Sequence, residues 1–205
     1  MPGCVAVAQR TLDPLAQVRI LARQPTEIIC KQTRHLDHRI ETMVNDPRNV
    51  TIYTDGACIG NPGPGGYAAI LLYQRHRREL SGGYRRTTNN RMEIMAAIAG
   101  LVALREKCRV TLYSDSEYLV NAMSRGWAER WRANGWKRNR RQKALNADLW
   151  ERLLRLCECH EVHFDWVKGH AGTQENVRCD ELAMQAAQQP NLPVDGGYVS
   201  QSEVQ

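Results

Sequence analysis

The feature that most limits what this chain can become is the order in which its hydrophobic period changes between Val50 and Gln188. Val50–Thr54 alternates as a strand does, and Tyr67–Tyr73 and Glu79–Tyr84 repeat the pattern across a Gly/Pro loop and a basic turn. The period then lengthens. Asn90–Leu104 places Met92, Met95, Ala96 and Ala99 on one side of a helix, Val110–Ser114 returns to a strand, and Ser116–Met123 is helical again. A helix over Ala147–Cys157, a strand over Glu161–Val167 and a helix over Glu175–Gln188 complete the series. Three successive strands come before the alternating helices and strands, and the first and fourth strands can lie parallel only across a long crossover, which the third strand and the Asn90 helix supply. The expected class is α/β, a mixed sheet covered by helices. Such a pairing sets Asp55 and Asp115 side by side, each directly after its strand.

Composition narrows the function classes. No apolar run approaches the ~18 residues of a membrane span, and the first residues lack the apolar core of an export signal. Seven scattered cysteines fit a reducing compartment, so a cytoplasmic location is expected. Cys157, Cys159 and His160 lie together, but no second pair has zinc-finger spacing and zinc is not expected. The net charge is +6, yet Arg125–Lys143 alone holds eight basic residues against Glu129. Trp127, Trp131 and Trp136 are interleaved there. Such a segment repels itself without a polyanion, and basic residues with aromatics suit nucleic acid; the alternative is a solvated helix face with its tryptophans in the core.

Four acids need explaining. Asp55 is followed by the turn-rich Gly60-Asn61-Pro62-Gly63-Pro64-Gly65-Gly66, which reads as a loop. It is either an Asx turn after a strand or a metal ligand beside a backbone kept thin for a bulky visitor. Asp115 has the place of a helix N-cap, Glu93 has capping-box spacing from Asn90, and Asp180 fits a surface charge. Singly, each bland reading suffices. Together, acids at two adjacent strand ends and on two covering helices repel one another unless cations intervene. Hard oxygen ligands of this kind suit Mg²⁺ or Mn²⁺ rather than zinc.

The segments TDGACIGNPGPGGYAAIL, GGYRRTTNNRMEIMAAI, TLYSDSEYLVNAM and DWVKGHAGTQENVRCDELA, in this order and spacing, resemble ribonuclease H of the bacterial type 1 class. The resemblance runs from about Val50 to Ala187. It implies a ribonuclease H-like five-stranded mixed sheet flanked by helices, and endonucleolytic cleavage of the RNA strand of an RNA–DNA hybrid. By position it makes Asp55, Glu93, Asp115 and Asp180 the metal-binding carboxylates, served by two Mg²⁺ ions with Mn²⁺ able to substitute, and His170 the histidine of a mobile loop. It puts Cys58, Asn61, Thr88, Asn89 and Asn90 at substrate-contacting positions, with Asn146 and Asn176 near the site. The stretch with Trp127, Trp131, Trp136 and Lys137 looks like the family's basic protrusion. Arg86, Thr88 and Asn146 suit a pocket for a DNA phosphate, and the asparagines suit the RNA 2′-OH. Two departures stand out: Glu117, where relatives commonly have glutamine, and Val177, where they often have glutamate. A resolvase or integrase on the same fold would lack the Asn-rich stretch and the basic tryptophan segment; a non-catalytic hybrid-binding module would have lost an acid. The expected partner is the hybrid, without a membrane, and the expected state is a monomer.

The chain divides by pattern into a poorly ordered extension (1–48), a catalytic domain (49–188) and a flexible tail (189–205). The extension has seven basic residues against five acids and few apolar ones, so it cannot build its own core. An amphipathic docking helix over Lys31–Val44 is the competing reading. A chain starting at Met43 is therefore expected to keep the melting temperature and specific activity of the full chain. A drop of more than about 4 °C, on the order of a kilocalorie for a domain of this size, would show that the extension packs on the fold.

Overall fold

A computed structural model describes residues 47–169 and 173–198. The expectations for residues 1–46, for His170 and for the chain beyond 198 lie outside the described residues. Five strands form one sheet: β1 (Arg48–Cys58), β2 (Gly63–Tyr73), β3 (His76–Thr87), β4 (Cys108–Ser114) and β5 (Glu161–Trp166). Their spatial order is β3-β2-β1-β4-β5. The first three meander antiparallel, and β1 with β4 and β4 with β5 run parallel. The mixed sheet and the β1–β4 pairing are as the sequence implied.

The helices are α1 (Asn89–Val102), α2 (Glu117–Ser124), α3 (Trp127–Ala133), α4 (Ala147–Cys159) and α5 (Gln174–Ala187). On one face, Met92, Ile94, Ile98 and Leu101 of α1 close over Ile52, Val110 and Leu112, with Trp150 and Leu153 of α4 outside them. Nine residues of α1 are buried, so it is covered on nearly all sides rather than along one stripe. The other face is thinner: Ala57, Ala68 and Ile70 of the sheet meet Cys179 and Ala183 of α5. None of the helices among the described residues is long and apolar enough to cross a membrane.

Two of the glycines after Asp55, Gly56 and Gly66, serve this packing rather than clearing space for a visitor. A Cβ on Gly56 would lie 2.2 Å from the backbone nitrogen of Glu93, and one on Gly66 would lie 2.0 Å from the carbonyl oxygen of Ala183. The sheet is shaved at these points so that α1 and α5 can press directly on its backbone. Gly63–Gly66 also belongs to β2 instead of a loop, because the strand partners Cys58 and Gly65 continue the ladder past Asp55.

Residues 189–198 depart from the loose tail their composition suggested. Asp195, 5% exposed, accepts from Thr87 Oγ1 at 2.7 Å and from Arg91 Nε and Nη2 at 2.7 and 2.8 Å. Arg91 is itself buried in α1 and reaches Asp148 of α4 with Nη1 at 2.9 Å and with the shared Nη2 at 2.7 Å. A guanidinium with five fixed donors is well matched to two carboxylates, and it ties β3, α1, α4 and the C-terminal strap together. Breaking one arm leaves a buried charge underpaired. Asp195→Asn is expected to lower stability by about 2 kcal/mol, or roughly 4–8 °C in melting temperature; an unchanged melting curve would mean the strap contributes nothing.

Candidate active site

The site begins where the parallel ladder of β1 and β4 stops. The last pair is Thr54 with Ser114, so Asp55 and Asp115 occupy the next positions on neighbouring strands. Asp55 is not at a strand end, as the sequence suggested; it sits inside β1, paired with Ala68 of β2 on its other side. Asp55 is 9% exposed, and its carboxylate accepts the Gly56 amide at 2.7 Å. Glu93 projects from the first turns of α1. It accepts from Asn89 Nδ2 at 2.8 Å and from the Ser116 hydroxyl. The capping-box reading of Glu93 fails, since α1 is entered at Thr88 without a side-chain cap. Nor is Asp115 an N-cap: that place belongs to Ser116, whose hydroxyl oxygen accepts from the Leu119 amide at 3.2 Å. Freed of capping duties, both acids face the same space as Asp55.

Electrostatics record the convergence. Burial, the neighbouring Asp115 charge and, more weakly, Asp180 and Glu93 push the pKa of Asp55 up to about 8, against the pull of the Gly56 amide. Burial and Asp115 likewise raise Glu93, opposed by the Ser116 and Asn89 hydrogen bonds. Burial and the Asp55 charge raise the Cys179 thiol behind Asp55. Among the described residues no three acidic, His or Cys donors are already drawn into a tight metal shell. The four acids fit divalent cations through their chemistry instead: hard oxygens, mutually repelling, on a rigid floor.

Around the acids the structure gathers several residues the sequence singled out. Asn61 Oδ1 accepts from the Asn89 amide at 3.3 Å, which joins the Gly/Pro turn to the start of α1. The Cys58 thiol donates to the carbonyls of Gly63 and Thr87. Thr88 caps α1 through its backbone, Arg86 is exposed on β3, and Asn90 opens onto a cleft of about 940 Å³. That cleft is walled by Tyr118, Trp127, Trp131, Arg130, Arg138 and Lys143. The basic segment contains the short helix α3, which the sequence left undivided. Its tryptophans are half-buried: Trp131 stands 6.5 Å from Trp127 and 5.9 Å from Trp150, ring centre to ring centre, so they root the segment in the core while its arginines reach outward. Trp136 also packs on the core, and Lys137 is exposed beside it. Asn146 is buried at the entrance to α4. Asn176 lies one helical turn before Asp180 and keeps a buried Oδ1 without a partner among the described residues. Glu117 and Val177 are both exposed.

Sequence reasoning passed over Ser116 and Trp166. Ser116 links Asp115 to Glu93, and its only signal is a hydroxyl directly after an acid. Trp166 is 49% exposed at the end of β5 and donates its indole N–H to the main-chain oxygen of Asp115 at 3.1 Å.

The RNase H family pattern matches residues 47–188. The chain is 66% identical to the ribonuclease H of Desulforamulus reducens over 148 residues, spanning 72% of this chain and 93% of that one. Ribonuclease HI of Synechocystis sp. is 61% identical over 158 residues, spanning 76% and 98%. The solved structure of LC9-RNase H1, a type 1 RNase H with the type 2 active-site motif, superposes with a TM-score of 0.62 at 32% identity, over 77% of this chain and 82% of the other. LC11-RNase H1 in complex with RNA/DNA hybrid is 23% identical with a TM-score of 0.53, over 67% and 96%, a likeness of fold. This chain belongs to the ribonuclease H family, in its bacterial type 1 class.

The shift at Asp55 has a definite sign. A folded pKa near 8 lies above the unfolded value of about 3.9, so the folded state holds the proton more tightly. Without metal, stability therefore falls as pH rises from about 4 to about 8. Asp55→Asn removes this cost. At roughly 1.4 kcal/mol per pKa unit the cost is on the order of 5 kcal/mol, so the metal-free variant should melt above the parent by roughly 10–20 °C at pH 8.5, and the two should converge near pH 4. Coincident melting curves at both pH values would refute the crowding of Asp55.

Proposed function

We propose that this protein is an endonuclease that hydrolyses the RNA strand of RNA–DNA hybrids with little dependence on sequence. The observation that carries the reading is the convergence of Asp55, Glu93, Asp115 and Asp180 beside an asparagine rim and a basic, aromatic-walled cleft. These four acids would hold two Mg²⁺ ions, with Mn²⁺ able to substitute; when bound, such ions neutralise the acids and polarise both the scissile phosphate and an attacking water.

The remaining steps fall to the chain's own groups. The Gly56 amide orients Asp55, while Asn89 and the Ser116 hydroxyl orient Glu93. Asn61, Asn89 and Asn90 offer amide donors and acceptors to the RNA 2′-OH, the group that separates RNA from DNA. Cys58 and Thr88 border the same rim. Arg86, Thr88 and Asn146 are assigned to the phosphates of the DNA strand, and the arginines and Lys137 of the protrusion to its continuation along the cleft. Trp127, Trp131 and Trp136 hold that protrusion rigid, and the first two also wall the cleft. His170, carried over from the family motif, is assigned to proton movement or product departure. Contacts to sugars and phosphates position the duplex without reading its bases, which accounts for low sequence dependence. A monomer working in the cytoplasm, with residues 1–48 outside the catalytic unit, completes the proposal.

Labelled hybrid, duplex RNA and duplex DNA, incubated with the protein with and without Mg²⁺, test the reading. Cleavage confined to the RNA strand of the hybrid and dependent on Mg²⁺ is expected, and Asp55→Asn should abolish it while binding persists. Equal cleavage of duplex DNA would overturn the assignment. Replacing Lys137, Arg138, Arg140 and Arg141 by alanine should flatten the log–log salt dependence of binding by up to roughly 0.9 per lost phosphate contact. KM should then rise far more than kcat falls. An unchanged salt slope would make the segment a solvated surface.

A further inference from the structure

Asp115 stands outside both regular elements that flank it. Ser114 is the last residue of β4 and Ser116 is the N-cap of α2, so neither the strand ladder nor the helix sets the peptide between them. The end of β5 takes hold of it instead. Trp166 closes the β4–β5 ladder opposite Ser114, and its indole Nε1 donates to the Asp115 carbonyl oxygen at 3.1 Å. The Val167 amide donates to the Ser114 carbonyl at 3.1 Å. Gly169 then passes so near that a Cβ there would lie 2.6 Å from Asp115 Oδ2. Trp166 nevertheless leaves 49% of its surface exposed, an unusual disposition for the largest apolar side chain unless its polar edge is in use.

We propose that Trp166 is a positioning residue for Asp115: its indole N–H fixes the Asp115 peptide so that the carboxylate stays turned toward Asp55. The indole touches neither substrate nor cation; it acts through the backbone of a ligand, as outer hydrogen-bond partners do for metal sites generally. The proposal rests on the reading of Asp115 as a metal ligand.

The test uses the full chain carrying Trp166→Phe or Trp166→Leu. Both lose the donor, and only the first keeps an aromatic ring. The half-saturating Mg²⁺ concentration is read twice, from the Mg²⁺-induced rise in melting temperature without nucleic acid and from hybrid cleavage. Both variants should need roughly tenfold more Mg²⁺ in both measurements, with KM for hybrid at saturating Mg²⁺ within about twofold of the parent. An unchanged Mg²⁺ requirement overturns the proposal. So does a large rise in KM with the Mg²⁺ requirement intact, which would make the ring a substrate contact, or a loss that Trp166→Phe largely escapes, which would make it a packing effect. A parent protein that Mg²⁺ does not stabilise overturns it as well. A parent that Mg²⁺ stabilises but that cleaves no hybrid would instead sink the proposed function, leaving the melting data to decide the role of Trp166.

Discussion

The parallel pairing of β1 with β4 is the constraint on which the site depends. Because the ladder ends at Thr54 and Ser114, the next residue on each strand is an acid, and the pairing forces two like charges into adjacent positions. α1 then delivers Glu93 over the same spot, and α5 brings Asp180 from the opposite face. Each approach needs a thin sheet, which Gly56 and Gly66 provide by having no side chain where the helix backbones arrive. The result is a floor that cannot relax away from its own repulsion. Burial of Asp55 makes the strain larger, and hydrogen bonds from Gly56, Ser116 and Asn89 offset it only in part.

The surroundings divide the labour between rigidity and charge. Trp131, Trp150, Trp127 and Tyr118 interlock as a stack of edges and faces, so the protrusion is anchored like a piece of core. Its arginines stay in water, where they can attract phosphates without paying for burial. Arg91, the one deeply buried arginine among the described residues, has the opposite task. Held by Asp148 and Asp195, it locks the start of α1, two residues before Glu93, to α4 and to the C-terminal strap.

Much of this was legible in the sequence because it follows from period and spacing. The mixed sheet, the β1–β4 pairing and the adjacency of Asp55 and Asp115 all come from counting residues between apolar runs. What escaped depends on partners far apart in the chain. Glu93 and Asp115 looked like caps because local spacing allowed it; in the fold Ser116 takes the cap that spacing offered to Asp115, and α1 is entered at Thr88 with no side-chain cap, which leaves Glu93 out of a capping box. Gly56 and Gly66 gave no hint of the helices pressed on them, because a sequence shows missing side chains but not what fills the gap. Asp195 sat in a Pro/Gly-rich stretch that reads as a tail, and its partner Arg91 lies 104 residues earlier. Trp166 carried no signal beyond being an aromatic at a strand end.

The central claim is that the fold crowds the carboxyl groups of Asp55, Glu93, Asp115 and Asp180 so closely that Asp55 keeps its proton, which a divalent cation held by the four acids would displace. Calorimetric titration of Mg²⁺ into the protein in buffers of different ionisation enthalpy measures the protons released on binding. With Asp55 holding its proton up to about pH 8 in the metal-free state, close to one proton should leave per protein at pH 7, falling toward none by about pH 9.5. Binding of Mg²⁺ with no proton release across this range would contradict the account.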